Sequence, residues 1–294
     1  MSPLILALPG NQDLAQKLAA ARGWPVGELA IRRFPDGETH VRFLCDVARR
    51  DLVFVCTLDR PDEKTIALYL AMQIGRELGA RRCSLVAPYL AYMRQDARFN
   101  PGEGISSAHY ARLLSGFCDR MVTVDPHLHR HRDLSEIYSI PTRVVQAAPA
   151  IALWISVNVA RPYLVGPDGE SEQWVAEVAA RAGCPYTVLQ KKRSGDRQVE
   201  VSVPDALALR GHTPVLVDDI ASTARTMIAA VNHLHAAALT PPVCIAVHPV
   251  FAGDAWNALQ ASDVAQVVSC NTIAHPSNAI DVSGALAAAL DDWG

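Results

Sequence analysis

The segment TPVLVDDIASTARTM, residues 213–227, decides the fold class of this chain. An apolar run leads into Asp218 and Asp219, a hydroxyl-rich loop follows, and an amphipathic stretch begins after it. Ligands bind beyond the carboxyl ends of strands in open α/β sheets. Helix N-termini attract phosphate, and carboxylates bind sugar hydroxyls or Mg²⁺. The segment therefore predicts a strand, a phosphate-binding loop and a helix, with an acidic turn and an ordinary helix cap as the alternative.

Short apolar runs without polar alternation recur along the chain, which is typical of parallel strands covered on both faces. They predict strands at residues 52–55, 84–87, 121–124, 163–165, 186–189, 214–217, 243–247 and 266–269. Helical patterns lie between them. In residues 62–79 an apolar stripe recurs every four residues and Gly79 is the expected C-cap, while residues 224–238 place Met227, Val231 and Leu234 on one face. This alternation predicts an α/β fold with a largely parallel sheet.

A faint internal repeat suggests two related domains. Residues 52–98 and 162–197 each contain a strand, an acidic turn, a helix, a strand and a basic loop. The boundary is expected in IPTRVVQAAPA, residues 140–150, because two prolines fall there in a stretch of small residues. We therefore predict one domain at residues 1–145 and a second at 146–294.

The composition excludes several classes of protein. Half of the 294 residues are apolar and 19% are charged, which indicates a globular chain. The 27 basic and 30 acidic residues give a net charge of -3, which excludes a globally basic nucleic-acid binder. No apolar run is long enough for a membrane span, and the opening MSPLILALPG lacks the basic region of a signal peptide. The sequence predicts a cytoplasmic protein.

The seven cysteines support the same compartment. None forms a CxxC pair, and an odd number in apolar runs indicates small core residues. We therefore expect neither a disulfide framework nor a structural zinc site, in a reducing environment.

Residues 213–227 resemble the phosphoribosyl-diphosphate loop of the type I phosphoribosyltransferase superfamily. Within it, the chain resembles the ribose-phosphate pyrophosphokinase family, and it leans toward the shorter, archaeal-like class III form. Besides that loop, the motifs that carry the resemblance occur in the family's order: RRFPDGETHVRF (32–43), PYLAYMRQDARFNPGEGISS (88–107), VTVDPHLH (122–129), LVGPDGE (164–170) and QKKRSGDRQVEV (190–201). They cover about residues 10–275.

The resemblance implies two phosphoribosyltransferase-like domains, each with a mainly parallel central sheet flanked by helices. It implies Mg²⁺-dependent transfer of the β,γ-diphosphoryl group of ATP to the 1-hydroxyl of ribose 5-phosphate. The N-terminal domain would carry the ATP-site segments, and the C-terminal domain the ribose 5-phosphate loop and a catalytic flexible loop. A homodimer or larger homo-oligomer is expected, in which residues 34–38 complete the ATP site of a neighbouring subunit.

The implied site residues fall into four groups. The catalytic pair is Lys191 and Arg193. The ATP-binding residues are Phe34, Asp36, Gly37, Glu38, Arg94 and Gln95. Ribose 5-phosphate would contact Asp218, Asp219, Ser222, Thr223, Ala224, Arg225 and Thr226. The Mg²⁺ ligands would be His127 and Asp168.

Read without the resemblance, these segments allow plainer interpretations. Residues 34–38 form an ordinary turn, residues 94–96 a solvated loop, and residues 191–193 a solvated basic cluster. DPHLHRH at 125–131 would suggest a transition-metal site. Two positions depart from the family pattern, since Arg225 and Glu170 stand where glycine is usual. A phosphoribosyltransferase that consumes the diphosphate, and a catalytically impaired regulatory homologue, are the alternative functions.

Overall fold

The computed structural model describes residues 2–194, 198–202 and 207–293. The chain forms two compact units, one of Met1–Gln146 with Ser283–Gly294 and one of Ala147–Val282. Each unit has a parallel sheet flanked by helices, so the predicted α/β fold class is confirmed. Within the described ranges, no helix combines the length and the apolar character that a membrane span needs.

The first unit is built around a parallel sheet with buried apolar strands. In chain order its elements are β1 (Leu4–Ala7), α1 (Gln12–Arg22), β2 (Val26–Gly27), β3 (Leu29–Arg33), β4 (Thr39–Phe43), β5 (Asp51–Val55), α2 (Pro61–Glu77), β6 (Arg82–Ala87), α3 (Ser106–Ser115), β7 (Arg120–Val124) and β8 (Thr142–Val145). The strand order is β2-β1-β5-β6-β7-β8, and β3 and β4 form a separate antiparallel hairpin.

The second unit has the same design. Its elements are α4 (Ala148–Asn158), β9 (Pro162–Gly166), α5 (Glu172–Ala182), β10 (Tyr186–Val188), β11 (Gln190–Ser194), β12 (Gln198–Ser202), β13 (Thr213–Ile220), α6 (Arg225–Ala236), β14 (Val243–His248), α7 (Ala255–Ala261), β15 (Gln266–Cys270) and β16 (Asn278–Ile280). The strand order is β10-β9-β13-β14-β15-β16, and β11 and β12 form the antiparallel hairpin. The chain then continues into α8 (Ser283–Ala288).

The two units are therefore related, but the register of the predicted repeat is wrong. By strand order, β5-α2-β6 corresponds to β13-α6-β14, and β1-α1-β2 corresponds to β9-α5-β10. The sequence repeat instead matched β5-α2-β6 with β9-α5-β10. Strands covered on both faces all carry similar apolar runs, so one βαβ unit resembles another in sequence.

All eight predicted strands are present, within a few residues of their predicted ends. Strands β1, β2, β8 and β16 and the two hairpins were not predicted from the sequence.

The stripe predicted for α2 does not face the core. Ile66 is 56% exposed and Leu78 is 49% exposed, whereas the buried positions include Ala67, Ala71 and Gly75. A Cβ atom on Gly75 would lie 2.9 Å from Leu52 Cδ1 of the central strand. Leu68 and Met72 are buried together with these small residues, so the face of α2 that meets the core is offset from the predicted stripe, and Ile66 and Leu78 lie on the outer side. The helix ends at Glu77, two residues before Gly79.

The last residues of the chain belong to the first unit, whereas the predicted second domain extended to 294. Leu286, Leu290 and Trp293 are buried there. Arg143 donates to the carbonyl of Ala289 at 2.9 Å, and Arg120 donates to the carbonyl of Trp293 at 2.9 Å. Apolar burial and these hydrogen bonds hold the segment against the first sheet.

Most of the cysteines are buried, as the sequence predicted, and all seven are free thiols. Burial raises the pKa of the Cys83 thiol to about 11 and that of the Cys244 thiol to about 12. These thiols are therefore protonated at neutral pH and pack as small apolar groups.

Candidate functional site

The carboxyl end of β13 leads through a short loop into α6, as the sequence predicts for residues 213–227. Ala224 is the N-cap residue, with a left-handed backbone (φ 54°), and no side-chain hydrogen bond caps the helix. The first-turn N–H groups of α6 therefore lack a capping side chain, which suits them to bind an anion. Ser222 is half-buried, whereas the side chains of Thr223 and Thr226 are exposed.

Arg225 causes no backbone strain although the family pattern has glycine there. It is the first residue of α6 and is exposed. The left-handed conformation, which glycine adopts most easily, falls one residue earlier, on Ala224.

Carboxylates are crowded at the end of β13. Burial raises the pKa of Asp218 well above its usual range, and repulsion from Asp219 and Asp168 raises it further. The backbone N–H of Asp219 donates to Asp218 Oδ1 at 3.0 Å. Hydroxyl donors or a cation that bound at this edge would relieve the repulsion.

Asp168 reaches the same edge because β9 pairs in parallel with β13. A short 3₁₀ turn, Gly169–Ser171, follows it, and Ser171 Oγ donates to the Asp168 carbonyl at 2.7 Å. A Cβ atom on Gly166 would lie 2.6 Å from Ser171 Oγ, so glycine at this position leaves room for the Ser171 side chain. The side chain of Glu170 lies outside the described part of the structure.

The loop after β14 supports the loop between β13 and α6. The N–H groups of Phe251 and Ala252 donate to the carbonyls of Ala221 and Ser222 at 2.8 and 2.9 Å. The Phe251 ring packs against Trp256 and His275, with ring centroids 5.2 and 4.8 Å away. This support was not predicted from the sequence, although two aromatic residues in HPVFAGDAW after a predicted strand were an available signal.

The expected catalytic segment forms the hairpin β11–β12. In its backbone register Lys191 pairs with Val201 and Arg193 pairs with Val199. Positions 191 and 193 alternate with position 192 along the strand, so they share one face of the hairpin. The side chains of these residues, and residues 195–197, lie outside the described part of the structure.

In the first unit, residues 34–38 form the tip of the hairpin β3–β4. The N–H of Phe34 donates to the Glu38 carbonyl at 2.8 Å, and Asp36 Oδ1 accepts from the Glu38 N–H at 3.2 Å. Gly37 adopts φ 94°, which disfavours residues with a side chain. Phe34 is 37% exposed, and the Arg32 guanidinium lies 4.4 Å from its ring centroid.

A cleft of about 540 Å³ separates this tip from the N-terminal half of α2. Its charged lining comprises Arg33, Glu38, Asp62 and Glu63, and its apolar lining includes Ile66. The cleft is thus an acidic recess with an apolar wall.

Arg94 and Gln95 are exposed in the loop between β6 and α3. Tyr92, which has φ 64°, donates from its hydroxyl to Asp62 on α2. This hydrogen bond and partial burial raise the pKa of Tyr92. The N–H of Gln95 donates to the Tyr92 carbonyl at 3.1 Å, so Tyr92 anchors the loop to α2.

His127 lies in the segment after β7, which pairs with β6, so both loops leave the same edge of the sheet. Its backbone is left-handed (φ 57°), and its ring centroid lies 3.9 Å from that of His129. The third histidine of this segment, His131, contacts a carboxylate, since its Nδ1 lies 3.0 Å from Glu136 Oε2.

The structure thus brings together two sets of predicted residues, each within one unit. Asp168, Asp218, Asp219 and residues 222–226 meet at one edge of the second sheet. Arg94, Gln95 and His127 occupy adjacent loops at one edge of the first sheet. Residues 34–38 form the hairpin tip and line a cleft together with Asp62, the residue of α2 that accepts the Tyr92 hydrogen bond.

Comparisons with known proteins cover both units. Residues 4–117 match the family described as the N-terminal domain of ribose phosphate pyrophosphokinase, and residues 133–283 match the phosphoribosyl transferase domain. The ribose-phosphate pyrophosphokinase of Methanopyrus kandleri is 30% identical over 98% of this chain and 99% of its own. That of Methanothermobacter thermautotrophicus is 31% identical over 98% of this chain and 100% of its own.

A solved structure has the same fold. The phosphoribosylpyrophosphate synthetase from Mycobacterium smegmatis is 24% identical, with a TM-score of 0.85 over 99% of this chain and 98% of its own. The N-terminal match favours the kinase over a phosphoribosyltransferase that consumes the diphosphate. Because both family descriptions and the full-length relatives agree, the chain belongs to the ribose-phosphate pyrophosphokinase family.

Proposed function

We propose that the chain transfers the β,γ-diphosphoryl group of ATP to the 1-hydroxyl of D-ribose 5-phosphate. The products are 5-phospho-α-D-ribose 1-diphosphate and AMP. The observation that carries this proposal is the combination of two features in one chain. The N-terminal unit matches the pyrophosphokinase family, and β13 ends in an acidic pair, a hydroxyl-rich loop and an uncapped helix.

The sugar phosphate binds at the end of β13. Asp218 and Asp219 accept hydrogen bonds from ribose hydroxyls, which relieves the repulsion that raises the pKa of Asp218. The loop from Ser222 to Thr226, with Thr223, Ala224 and Arg225, surrounds the 5-phosphate. Uncapped N–H groups of α6 and the Arg225 guanidinium supply donors for its oxygens.

The nucleotide binds to segments of the first unit. Phe34 stacks against adenine, which its partly exposed ring allows. Asp36, Gly37 and Glu38 form a tight exposed turn that offers hydrogen-bond acceptors. Arg94 and Gln95 contact the nucleotide, and Arg94 suits phosphate through its forked donors.

Mg²⁺ is the metal that the family resemblance implies, with His127 and Asp168 as its ligands. The donor chemistry at the second unit's edge fits a hard divalent cation, since three carboxylates crowd there and Asp218 resists ionisation. When bound, Mg²⁺ neutralises charge on the phosphate oxygens of ATP. The assignment of His127 follows from the resemblance.

In the chemical step the 1-hydroxyl oxygen of the sugar attacks the β-phosphorus of ATP. The new O–P bond forms as the bond between the β-phosphorus and the α,β-bridging oxygen breaks; AMP leaves with that oxygen, and the proton of the 1-hydroxyl is released to solvent. Negative charge on the transferring diphosphoryl group increases in the transition state. Lys191 and Arg193 stabilise that charge from one face of the hairpin β11–β12.

The active form is a homodimer or larger assembly, in which residues 34–38 complete the ATP site of a neighbouring subunit. We place the enzyme in the cytoplasm, where its substrates are available.

A coupled assay for AMP tests the function. Purified chain with Mg²⁺, ATP and ribose 5-phosphate should produce AMP and the 1-diphosphate in equal amounts, and chelation of Mg²⁺ should stop the reaction. A regulatory homologue would bind the substrates without producing AMP. A phosphoribosyltransferase would release pyrophosphate from the 1-diphosphate and a base, and would not cleave ATP.

A further inference from the structure

An ion pair joins the two loops of the first unit that carry the proposed nucleotide-site residues. Arg130 Nη1 lies 2.7 Å from Asp96 Oδ1. Asp96 directly follows Gln95 in the loop between β6 and α3, and Arg130 lies three residues beyond His127. The pair therefore connects the proposed ATP contacts to the segment of the proposed metal ligand.

The two partners differ strongly in burial. The Asp96 side chain is 2% exposed, whereas that of Arg130 is 51% exposed. Asp96 Oδ2 is buried and has no hydrogen-bond partner among the described residues. A buried carboxylate loses much of its hydration, so Arg130 supplies compensation that Asp96 needs.

Arg130 makes a second contact with the same loop. Its guanidinium lies 5.4 Å from the ring centroid of Phe99, within the range of cation–π attraction. The loop is also ordered internally, because Glu103 accepts hydrogen bonds from the N–H groups of Phe99 and Asn100 at 2.8 and 2.9 Å. Arg130 thus contacts this internally ordered loop at two residues, Asp96 and Phe99.

Both connected segments contain strained backbone. Tyr92 has φ 64° on one side, and Asp125 and His127 have φ 32° and 57° on the other. Left-handed conformations of such residues persist only where the surroundings hold them. An ion pair with one half-exposed partner adds little net stability, so its position between two strained loops is better explained by placement of those loops than by folding.

We propose that Asp96 and Arg130 are positioning residues that fix Arg94 and Gln95 relative to His127, so that ATP meets a preformed site. Neither residue contacts the nucleotide. This inference rests on the proposed function, because it assumes that these loops bind ATP. Without the pair the two loops move separately, and ATP binding must then order them.

The test compares Asp96→Asn and Arg130→Ala with the unchanged protein. We expect each variant to raise the KM for ATP about tenfold, the order of effect for a pair that orders a site, with little change in kcat or in the KM for ribose 5-phosphate. The double variant should raise the KM for ATP no more than the stronger of the two single variants, because both substitutions remove the same interaction. Added guanidinium ion should partly restore the KM for ATP in Arg130→Ala, because the site of the missing side chain is half-exposed. The KM for ATP of Arg130→Lys should lie between those of Arg130→Ala and the unchanged protein.

Arg181→Ala is the matched control. Arg181 is 45% exposed and pairs with Glu177 on α5, at 2.9 Å, outside the first unit. It should leave the KM for ATP unchanged. Arg130→Ala leaves Asp96 buried without its partner and can misfold, so the isosteric Asp96→Asn keeps the test decisive.

Calorimetric titration with Mg²⁺ and ATP separates this inference from the proposed function. If the unchanged protein binds ATP but produces no AMP, the proposed function fails, and weaker ATP binding by Asp96→Asn still supports the pair. Unchanged ATP affinity in Asp96→Asn overturns the inference, as does an equal loss for both substrates. Failure of the unchanged protein to bind ATP overturns both.

Discussion

Asp218 occupies a position that opposes its own ionisation. Burial, together with repulsion from Asp219 and Asp168, raises its pKa well above the usual range. Crowded like charges lower the stability of a free protein, and such strain is commonly found where a ligand compensates for it. The carboxylates at the end of β13 therefore fit a role in binding better than a role in folding.

Asp218→Asn should consequently stabilise the free protein while weakening the enzyme. Removal of the repulsion should raise the midpoint of thermal unfolding by a few degrees, corresponding to about 1 kcal/mol. The amide still accepts the Asp219 N–H. Loss of a charged acceptor should raise the KM for ribose 5-phosphate at least about tenfold, with a smaller effect on the KM for ATP. Differential scanning calorimetry and steady-state kinetics measure both effects.

Asp263→Asn is the control for this substitution. Asp263 is exposed in the same unit, 3.5 Å from His235, and should change neither quantity much. A lower unfolding midpoint for Asp218→Asn would contradict the crowding argument. A selective loss of ATP affinity would contradict the assignment of this loop to the sugar.

Ala224 and Arg225 show why the sequence motif predicted the position of the loop but not which of its residues has a left-handed backbone. The order of strand, acids, hydroxyls and helix was sufficient to predict the strand, the loop and the helix that the structure shows. Comparison with the family pattern drew attention to Arg225, yet the left-handed residue is Ala224. The backbone angle at each position depends on where α6 begins, and the pattern does not give that residue.

The hairpin β11–β12 places Lys191 and Arg193 on one face and Lys192 on the other. If that face meets the transferring group, Lys191→Ala should lower kcat about a thousandfold, because its contact strengthens as charge develops in the transition state. The KM for ATP should change little. Single-turnover kinetics with purified variants gives the size of the loss in the chemical step.

Lys192→Ala provides the matched control for the hairpin, since it removes the same charge from the opposite face. It should retain most of the turnover. Equal losses in the two variants would indicate a general effect of positive charge, and a Lys191→Ala enzyme with nearly normal kcat would remove this residue from the mechanism.

The strands in the middle of each sheet were predictable because they are apolar on both faces. Val53, Phe54 and Val217, for example, are fully buried. The hairpin β3–β4 was not identified, since its residues are only partly buried and its tip carries the expected ATP motif. Strands β8 and β16 are short edge strands with mixed exposure, which gives them a weak sequence signal.

The predictions of the buried face of α2 and of the register of the internal repeat were wrong for a related reason. The predicted stripe counted large apolar residues at every fourth position, whereas the buried face of α2 combines Leu68 and Met72 with small residues. Ala71 and Gly75 allow α2 to approach β5, which leaves Ile66 outside. Likewise, apolar pattern alone cannot distinguish one βαβ unit from the next, whereas strand order identifies equivalent units.

The two units share a strand order, but they carry different parts of the proposed chemistry. The first holds the ATP segments, at the tip of β3–β4 and in the loops after β6 and β7. The second holds the acidic edge, the phosphate-binding loop and the hairpin with Lys191. The proposed reaction therefore requires both units, since neither carries the ATP segments and the sugar-phosphate loop together.

If residues 34–38 complete the ATP site of a neighbouring subunit, two inactive variants should restore each other. Glu38→Ala removes the acceptor from the hairpin tip, and Lys191→Ala removes the catalytic cation. In mixed assemblies, some interfaces combine an intact Glu38 from one chain with an intact Lys191 from another. Random exchange of equal amounts should restore roughly a quarter of normal activity, if each shared site draws one part from each of two chains.

The measurement is AMP formation after subunit exchange, with exchange itself followed by native mass spectrometry of chains that differ in isotope labelling. Mixing Lys191→Ala with Arg193→Ala is the control, because both substitutions affect the same unit and no interface regains a complete site. The shared site requires recovery in the first mixture and none in the second. Absence of recovery despite demonstrated exchange, or full activity of a dilute monomer, would place the whole ATP site within one chain.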